Sequence, residues 1–163
     1  MSIPVAGQKP EPRGIGGWLI LPIIGLIITS VYGIFTFIRD LLPVFKEGLW
    51  PALTTPGSAA YHPLWAPALI FEVVMGVALI ALPIVLLMIM KNKSRRLPKL
   101  MVAWYVGVLL AQIIDVVLLS QIPAVANQPD GGDFKDLARA AVVCAIWVPY
   151  FLISKRVKNT FVE

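Results

Sequence analysis

The sequence predicts an all-α integral membrane protein, an antiparallel four-helix bundle with both termini in the cytoplasm. Three observations lead to this fold class. Of the 163 residues, 58% are hydrophobic and only 14% are charged, whereas ordinary soluble domains carry about 25% charged residues. The apolar residues form four long runs, each near the ~20 residues needed to cross ~30 Å of hydrocarbon. Most basic residues lie beside the ends of these runs, where membrane topology places them.

The chain divides into two polar tails around one transmembrane domain. Residues 1–13 are polar and rich in proline, which predicts a flexible cytoplasmic tail. Residues 14–154 form the predicted transmembrane domain, and residues 155–163 form a basic cytoplasmic tail. The predicted helices cover about 14–38, 64–90, 98–120 and 136–154. Because these runs are continuously apolar rather than alternating, they favour helices over a β-barrel.

The distribution of basic residues predicts the orientation. Ten of the fourteen Lys and Arg residues lie in the two tails or in the short turn after the second helix, and only Arg39, Lys46, Lys135 and Arg139 lie on the other side. The positive-inside rule then places both termini in the cytoplasm. Four spans require both termini to be on one side, so the two arguments agree.

The loop after the first predicted helix contains an amphipathic pattern. Leu41, Leu42, Phe45 and Leu49 recur at helical spacing. We therefore interpret residues 39–50 as a short helix lying in the outer membrane interface, although Pro43 falls inside it.

Small residues recur at helical spacing within the predicted spans, and such faces let membrane helices approach closely. Packing within the chain is one interpretation, and dimerisation is the other. The candidate packing residues are Gly17, Gly25, Gly33, Gly76, Gly107 and Ala111.

Three charged residues lie inside predicted spans and form the main candidate site. Glu72 is 19 residues before Lys91, and Asp115 is 19 residues after Arg96, so each lies ~28 Å from the cytoplasmic edge. Arg139 reaches a similar level on the fourth helix. We predict that these three residues form one charge cluster in the outer leaflet, because charged groups inside a bilayer usually pair or line a polar cavity.

The charge cluster has two interpretations. Gln112, one turn from Asp115, adds a hydrogen-bonding group to a cluster that either clamps the helices together or binds protons. The alternative is that Arg139 extends outward to the interface and leaves the carboxylates behind.

No pattern of residues indicates catalysis, so we expect a non-enzymatic protein without a cofactor. His62 and Cys144 are the only residues of their types, and a lone histidine or cysteine makes a poor metal or catalytic site. The basic residues follow membrane topology rather than forming a nucleic-acid groove. The expected partners are the lipid bilayer and either another membrane protein or a second copy of the chain.

Two stretches resemble the opening and closing signatures of the bacterial domain of unknown function 2569 family. They are GIGGWLIL at 14–21 and WVPYFL at 147–152 followed by SKRVKNTF at 154–161. The residues carrying this resemblance include Trp18, Trp147, Pro149, Tyr150, Ser154, Lys155 and Arg156. Glu72, Asp115 and Arg139 also fit the family pattern. The resemblance implies a four-helix, multi-pass protein of the bacterial inner membrane and implies no activity.

Two functional classes follow from these features. The sequence favours an accessory or interaction subunit of the inner membrane. The alternative is a small transporter or proton-linked channel that uses the outer-leaflet charge cluster. A polar cavity reaching the charged residues favours transport, whereas a dry bundle favours a partner protein.

Overall fold

The computed structural model describes residues 14–126 and 132–162, which contain helices and turns but no strand. The first helical segment comprises a 3₁₀ turn at Gly17–Leu19, α1 at Ile20–Thr36, a π-helical turn at Phe37–Leu41 and α2 at Leu42–Lys46. The remaining helices are α3 (Leu49–Thr54), α4 (Trp65–Lys91), α5 (Leu97–Leu119), α6 (Pro123–Ala126), α7 (Gly132–Ile153) and α8 (Lys155–Thr160).

Within the described part of the chain, four helical segments are long and apolar enough to span a membrane. They are Gly17–Lys46, Trp65–Lys91, Leu97–Leu119 and Phe134–Ile153. Many of their large apolar side chains point away from the protein, including Val31 at 63% and Ile153 at 72% exposure. Apolar surface of this extent is typical of helices that face lipid. For the described residues, this confirms the expectation of an all-helical chain with four helices long and apolar enough to span a membrane.

The first span differs from the sequence prediction. It continues past residue 38 to Lys46, so residues 39–50 do not form one separate helix. The helical run stops before Gly48, which adopts a left-handed φ of 72°, and α3 begins at Leu49. The π turn ends two residues before Pro43, whose backbone nitrogen has no hydrogen to donate to the helix. Within the π turn the hydrogen-bond register shifts by one residue, because the Leu42 N–H donates to the carbonyl of Phe37, five residues earlier.

The long helices pack as two pairs. α1 lies along α4, α5 lies along α7, and α4 contacts α5 to join the pairs. A first buried cluster, the terminal cluster, unites the beginning of the first span, the end of α4, the beginning of α5 and the end of α7. Its buried members are Leu19, Leu26, Leu86, Met90, Leu97, Met101, Phe151, Val157 and Phe161.

A smaller buried cluster lies at the opposite end of the α4–α5 pair. It contains Ala68 from α4, Leu119 from α5 and Ile122 from the segment that follows. We call it the distal cluster. The two clusters hold α4 and α5 together near both of their ends, and the candidate site lies between them.

Candidate functional site: an acidic pocket between three helical segments

Three of the four residues predicted for the charge cluster line one pocket. Glu72 from α4 and Gln112 and Asp115 from α5 surround a cavity of about 240 Å³. The first span contributes Asp40 and Phe37 from the π turn to the same cavity. Residues from three separate helical segments therefore converge on this acidic pocket.

Helical periodicity explains how α4 and α5 present these groups. On α4, Glu72 and Gly76 are four residues apart, and on α5, Ala111 and Asp115 are four residues apart. All four residues line the pocket. Side chains at i and i+4 lie on one face of a helix. Each helix thus directs one carboxylate and one small residue to the pocket, and the small residues leave space beside the acids.

A close contact with α4 brings the π turn to the pocket. A Cβ atom built on Gly76 would lie 2.9 Å from Cδ2 of Phe37, so only glycine fits at this position without displacing the ring. Along the same helix pair, a Cβ on Gly33 would lie 3.2 Å from Ile80. The Ser30 hydroxyl also donates a 3.1 Å hydrogen bond to the Ile80 carbonyl. π turns are frequent at functional sites, and this one borders the pocket.

The charges around the pocket are mainly negative. The Arg39 guanidinium donates two hydrogen bonds to the Asp40 carboxylate, at 2.7 and 2.8 Å, and lies 5.1 Å from the centroid of the Phe35 ring. Glu72 and Asp115 are half-buried, and Oδ1 of Asp115 is fully buried. The pocket lining therefore includes three acidic side chains, of which Asp40 is paired with Arg39.

Arg139 does not line the pocket, which corrects the predicted charge cluster. Its guanidinium donates a 2.8 Å hydrogen bond to Asp136 on the same helix, and its side chain is 72% exposed. The face of α7 that lies towards α5 carries Ala140 and Val143 instead. A long basic side chain near a helix end can reach the interface, so Arg139 extends outward, which is the alternative that the sequence left open.

A second space, an apolar cleft of about 430 Å³, lies between α4 and α5. Met75 of α4 lines both spaces. Ala78, Ala103 and Gly107 line the cleft, together with larger apolar residues. Because these three residues have small side chains or none, α4 and α5 leave the volume between them unfilled.

The predicted helix-packing residues fall into three groups. Gly33 and Gly76 lie at the contact between the first span and α4, and Ala111 is buried beside the acidic pocket. A Cβ atom built on Gly25 or Gly107 would meet no other described residue within 4 Å, so neither glycine mediates close helix packing among those residues. Gly17 lies at the beginning of the first span, against Arg156.

The two family-like motifs meet at the terminal end of the bundle. The Gly14 N–H donates a 2.9 Å hydrogen bond to the Thr160 hydroxyl. Cβ atoms on Gly16 and Gly17 would lie 3.2 and 3.3 Å from the Arg156 guanidinium, and Gly17 has a left-handed φ of 56°. Glycine is favoured there both by its backbone conformation and by the close approach of the guanidinium.

The other motif residues mainly shape the end of α7 and the beginning of α8. Trp147 and Tyr150 make an edge-to-face contact with ring centroids 5.5 Å apart. Pro149 lies inside α7, and the Ser154 hydroxyl accepts a hydrogen bond from the Val157 N–H at the beginning of α8. Trp18 is 69% exposed and Lys155 is exposed. These positions assign the motif a structural role at the terminal end.

Sequence reasoning missed the contribution of the π turn to the site. It assigned Asp40 to an interfacial helix, because the apolar run ends at Ile38 and Arg39 and Asp40 follow it. With the first span predicted to end at residue 38, Asp40 was not expected to lie near Glu72 or Asp115. The available signal was Gly76, four residues after Glu72, which indicates close approach by another element.

His62 and Cys144 remain outside the site. The Nδ1 atom of His62 accepts a 3.3 Å hydrogen bond from the Leu64 N–H, and Cys144 is a half-buried free thiol. Within residues 14–126 and 132–162, no group of three or more His, Cys, Asp or Glu side chains is placed to hold a metal ion.

Comparison with known proteins identifies a family. A family model described as "Protein of unknown function (DUF2569)" matches residues 12–162, and this agrees with the resemblance of the two terminal motifs. No curated protein and no solved structure matches the chain. Since the match covers nearly the whole sequence, the chain belongs to the DUF2569 family.

Proposed function

We propose that this protein is a small, non-enzymatic membrane transporter that binds a cation, either a proton or a positively charged solute, in the acidic pocket. The observation that carries the proposal is the convergence of Asp40, Glu72 and Asp115 on one cavity of about 240 Å³. Arg139, which the sequence predicted in the same cluster, pairs with Asp136 instead. Carboxylates inside a membrane domain commonly mark ion or proton pathways.

The same cavity favours transport over the accessory role that the sequence alone favoured. A fully packed interior without a cavity would have indicated that the charged residues serve to hold the helices together. Instead, Glu72, Gln112 and Asp115 border open space. The role of an accessory or interaction subunit of another membrane protein stays a prediction.

We further propose an antiparallel bundle with both termini in the cytoplasm of a bacterial cell, within the inner membrane. Support comes from the terminal cluster, where Leu19 near the start of the first span meets Met90 near the end of α4 and Leu97 at the start of α5. The acidic pocket then lies near the outer side.

In a Cys144→Ala background, Asn92→Cys should be protected from an impermeant thiol reagent in intact cells, and Ser58→Cys should react. Reversed labelling would overturn this orientation.

The transport proposal is tested by two fluxes in proteoliposomes. One assay follows proton movement driven by a pH gradient, and the other follows radiolabelled tetramethylammonium. We expect at least one flux above that of empty liposomes, and we expect Glu72→Gln and Asp115→Asn each to reduce it about tenfold or more, as loss of roughly 1.4 kcal/mol of binding would do.

Asp136→Asn is the matched control, because it neutralises an exposed carboxylate that does not line the pocket. Its flux should equal that of the unmodified protein. Thermal unfolding of each variant in detergent shows whether the fold is retained. Absence of both fluxes, or a flux that survives both pocket substitutions, would overturn the proposal.

A further inference from the structure

We infer that the turn between α4 and α5, residues 92–96, binds the headgroup of an anionic phospholipid through Lys93 and Arg96. The inference goes beyond the proposed transport function, because the turn does not line the acidic pocket. Three observations carry it: a concentration of positive charge, a space with both polar and apolar lining, and an unusual backbone conformation at Lys93.

Positive charge is concentrated at the turn and has no carboxylate partner among the described residues. Segment 91–99 contains no acidic residue and five basic ones, Lys91, Lys93, Arg95, Arg96 and Lys99, all exposed. Both ion pairs found in the described part of the chain lie elsewhere, at Arg39 and Arg139. The Arg95 guanidinium donates a hydrogen bond to the Val162 carbonyl, so it is already engaged. The segment therefore favours an anionic ligand.

The position of the turn favours a lipid over a soluble anion. One candidate span ends at Lys91 and the next begins at Leu97, so only five residues separate them. A link this short keeps its side chains close to the headgroup layer, where basic segments attract anionic lipids. In the orientation proposed above, these lipids belong to the cytoplasmic leaflet.

A space of about 500 Å³ at the turn has the mixed lining that suits a phospholipid. Asn92, Ser94 and Arg96 supply polar groups, and Ile89 and Leu100 supply apolar surface. The polar residues belong to the turn, whereas the apolar ones lie inside the two spans. A lipid phosphate can therefore meet the polar residues while its glycerol and the start of an acyl chain lie against the apolar ones.

Lys93 has a backbone conformation that lysine does not favour. Its φ of 49° is left-handed, at the position just past a helix where glycine or asparagine is usual. The Lys93 N–H donates to the Met90 carbonyl and the Ser94 N–H to the Ile89 carbonyl, which is the pattern of a Schellman motif. Glycine would form this turn with less strain. Strained residues cluster at binding sites, so we attribute the lysine to its charge.

The test titrates the full chain in a neutral detergent with phospholipids and counts bound lipid by native mass spectrometry. Dioleoylphosphatidylglycerol is compared with dioleoylphosphatidylcholine, which has the same tails and a phosphate but no net charge. We expect the phosphatidylglycerol to bind about tenfold or more tightly. Glycerol 3-phosphate and a short single-stranded DNA, offered as soluble anions, should not displace it.

Neutralising the turn should remove this selectivity. Lys93→Gly and Arg96→Gln should each weaken phosphatidylglycerol binding about fivefold, the contribution typical of one basic residue at a membrane surface. The double variant should bind the two lipids about equally, and Lys93→Arg, which keeps the charge, should bind normally. Lys158→Gln is the matched control, because Lys158 is an exposed basic residue at the same end of the bundle that does not line the space.

Thermal unfolding of each variant separates a binding defect from a folding defect. Lys93→Gly should keep or raise the melting temperature, because glycine adopts a left-handed φ without strain. If Lys93→Gly unfolds more easily, Lys93→Asn takes its place, since asparagine also tolerates this conformation.

The outcomes do not depend on the transport proposal. Equal binding of the two lipids by the unmodified protein, displacement by either soluble anion, or an equal loss in Lys158→Gln overturns the inference. Selectivity that survives in the double variant also overturns it. None of these results bears on the flux assays, and absence of flux leaves lipid binding at the turn standing.

Discussion

The region of the terminal cluster and the region of the acidic pocket differ in how their interiors are filled. At the terminal end, all four spans contribute buried apolar residues to one cluster, and the Gly14 N–H to Thr160 hydrogen bond joins the two ends of the described chain. Between the terminal and distal clusters, α4, α5 and the π turn instead line an acidic pocket. The region with the buried apolar cluster is therefore separate from the proposed binding site, since a site that must admit a ligand cannot be packed to core density.

The largest expected effect is a test of the terminal cluster. Phe151 is 1% exposed within that cluster, so Phe151→Ala leaves a cavity and should lower the free energy of unfolding by about 3 kcal/mol or more. Leu152→Ala is the control, because Leu152 is the next residue along the chain but is 55% exposed, so its loss should change stability much less. Both are measured by unfolding in detergent. Similar losses for the two variants would contradict the assignment of the core to this end.

Gly76→Ala tests the contact that brings the π turn to the pocket. Its Cβ would lie 2.9 Å from the Phe37 ring, so we expect a loss of about 1–3 kcal/mol in unfolding free energy from overpacking. Gly107→Ala has open space at the same atom, and helix propensity should leave it neutral or slightly stabilised. Thermal unfolding of the pair gives the comparison. Equal melting temperatures would show that the helices can separate there without cost.

Thr160→Val tests the hydrogen bond between the two terminal motifs. The variant keeps the side-chain volume but loses the acceptor for the Gly14 N–H, which should cost about 1 kcal/mol. Thr29→Val is the control, because that hydroxyl bonds to the Gly25 carbonyl within its own helix. A larger effect at Thr29 than at Thr160 would mean that the terminal junction contributes little to stability.

The smallest effect is expected for Arg139→Ala. An exposed ion pair such as Arg139–Asp136 contributes about 0–1 kcal/mol, and Arg139 does not line the acidic pocket. The double variant with Asp115→Asn should therefore be additive within about 0.5 kcal/mol. A double-mutant cycle measured by detergent unfolding checks this. A coupling energy well above about 0.5 kcal/mol would show that Arg139 interacts with Asp115 after all.

Part of the candidate site was predictable from helical periodicity. Glu72 and Asp115 were placed at similar depth by counting residues along straight helices, with Gln112 one turn from Asp115, and all three line the same pocket. The same count placed Arg139 at a similar depth but did not determine which way its side chain points. The side chain is long enough to extend outward, and its rotamer depends on the neighbours of α7, which a single sequence does not specify.

The sequence by itself determined the helical class, the approximate spans and the family, because continuous apolar runs and two terminal motifs are local features. The span predicted at 64–90 corresponds to α4 at Trp65–Lys91, and the first span was misjudged only where charged residues follow its apolar run. Tertiary structure alone decided that the π turn joins the pocket, that Arg139 leaves it, and that the cleft beside Gly107 stays open. These features depend on the distances between helices, which arise from contacts between residues far apart in the chain.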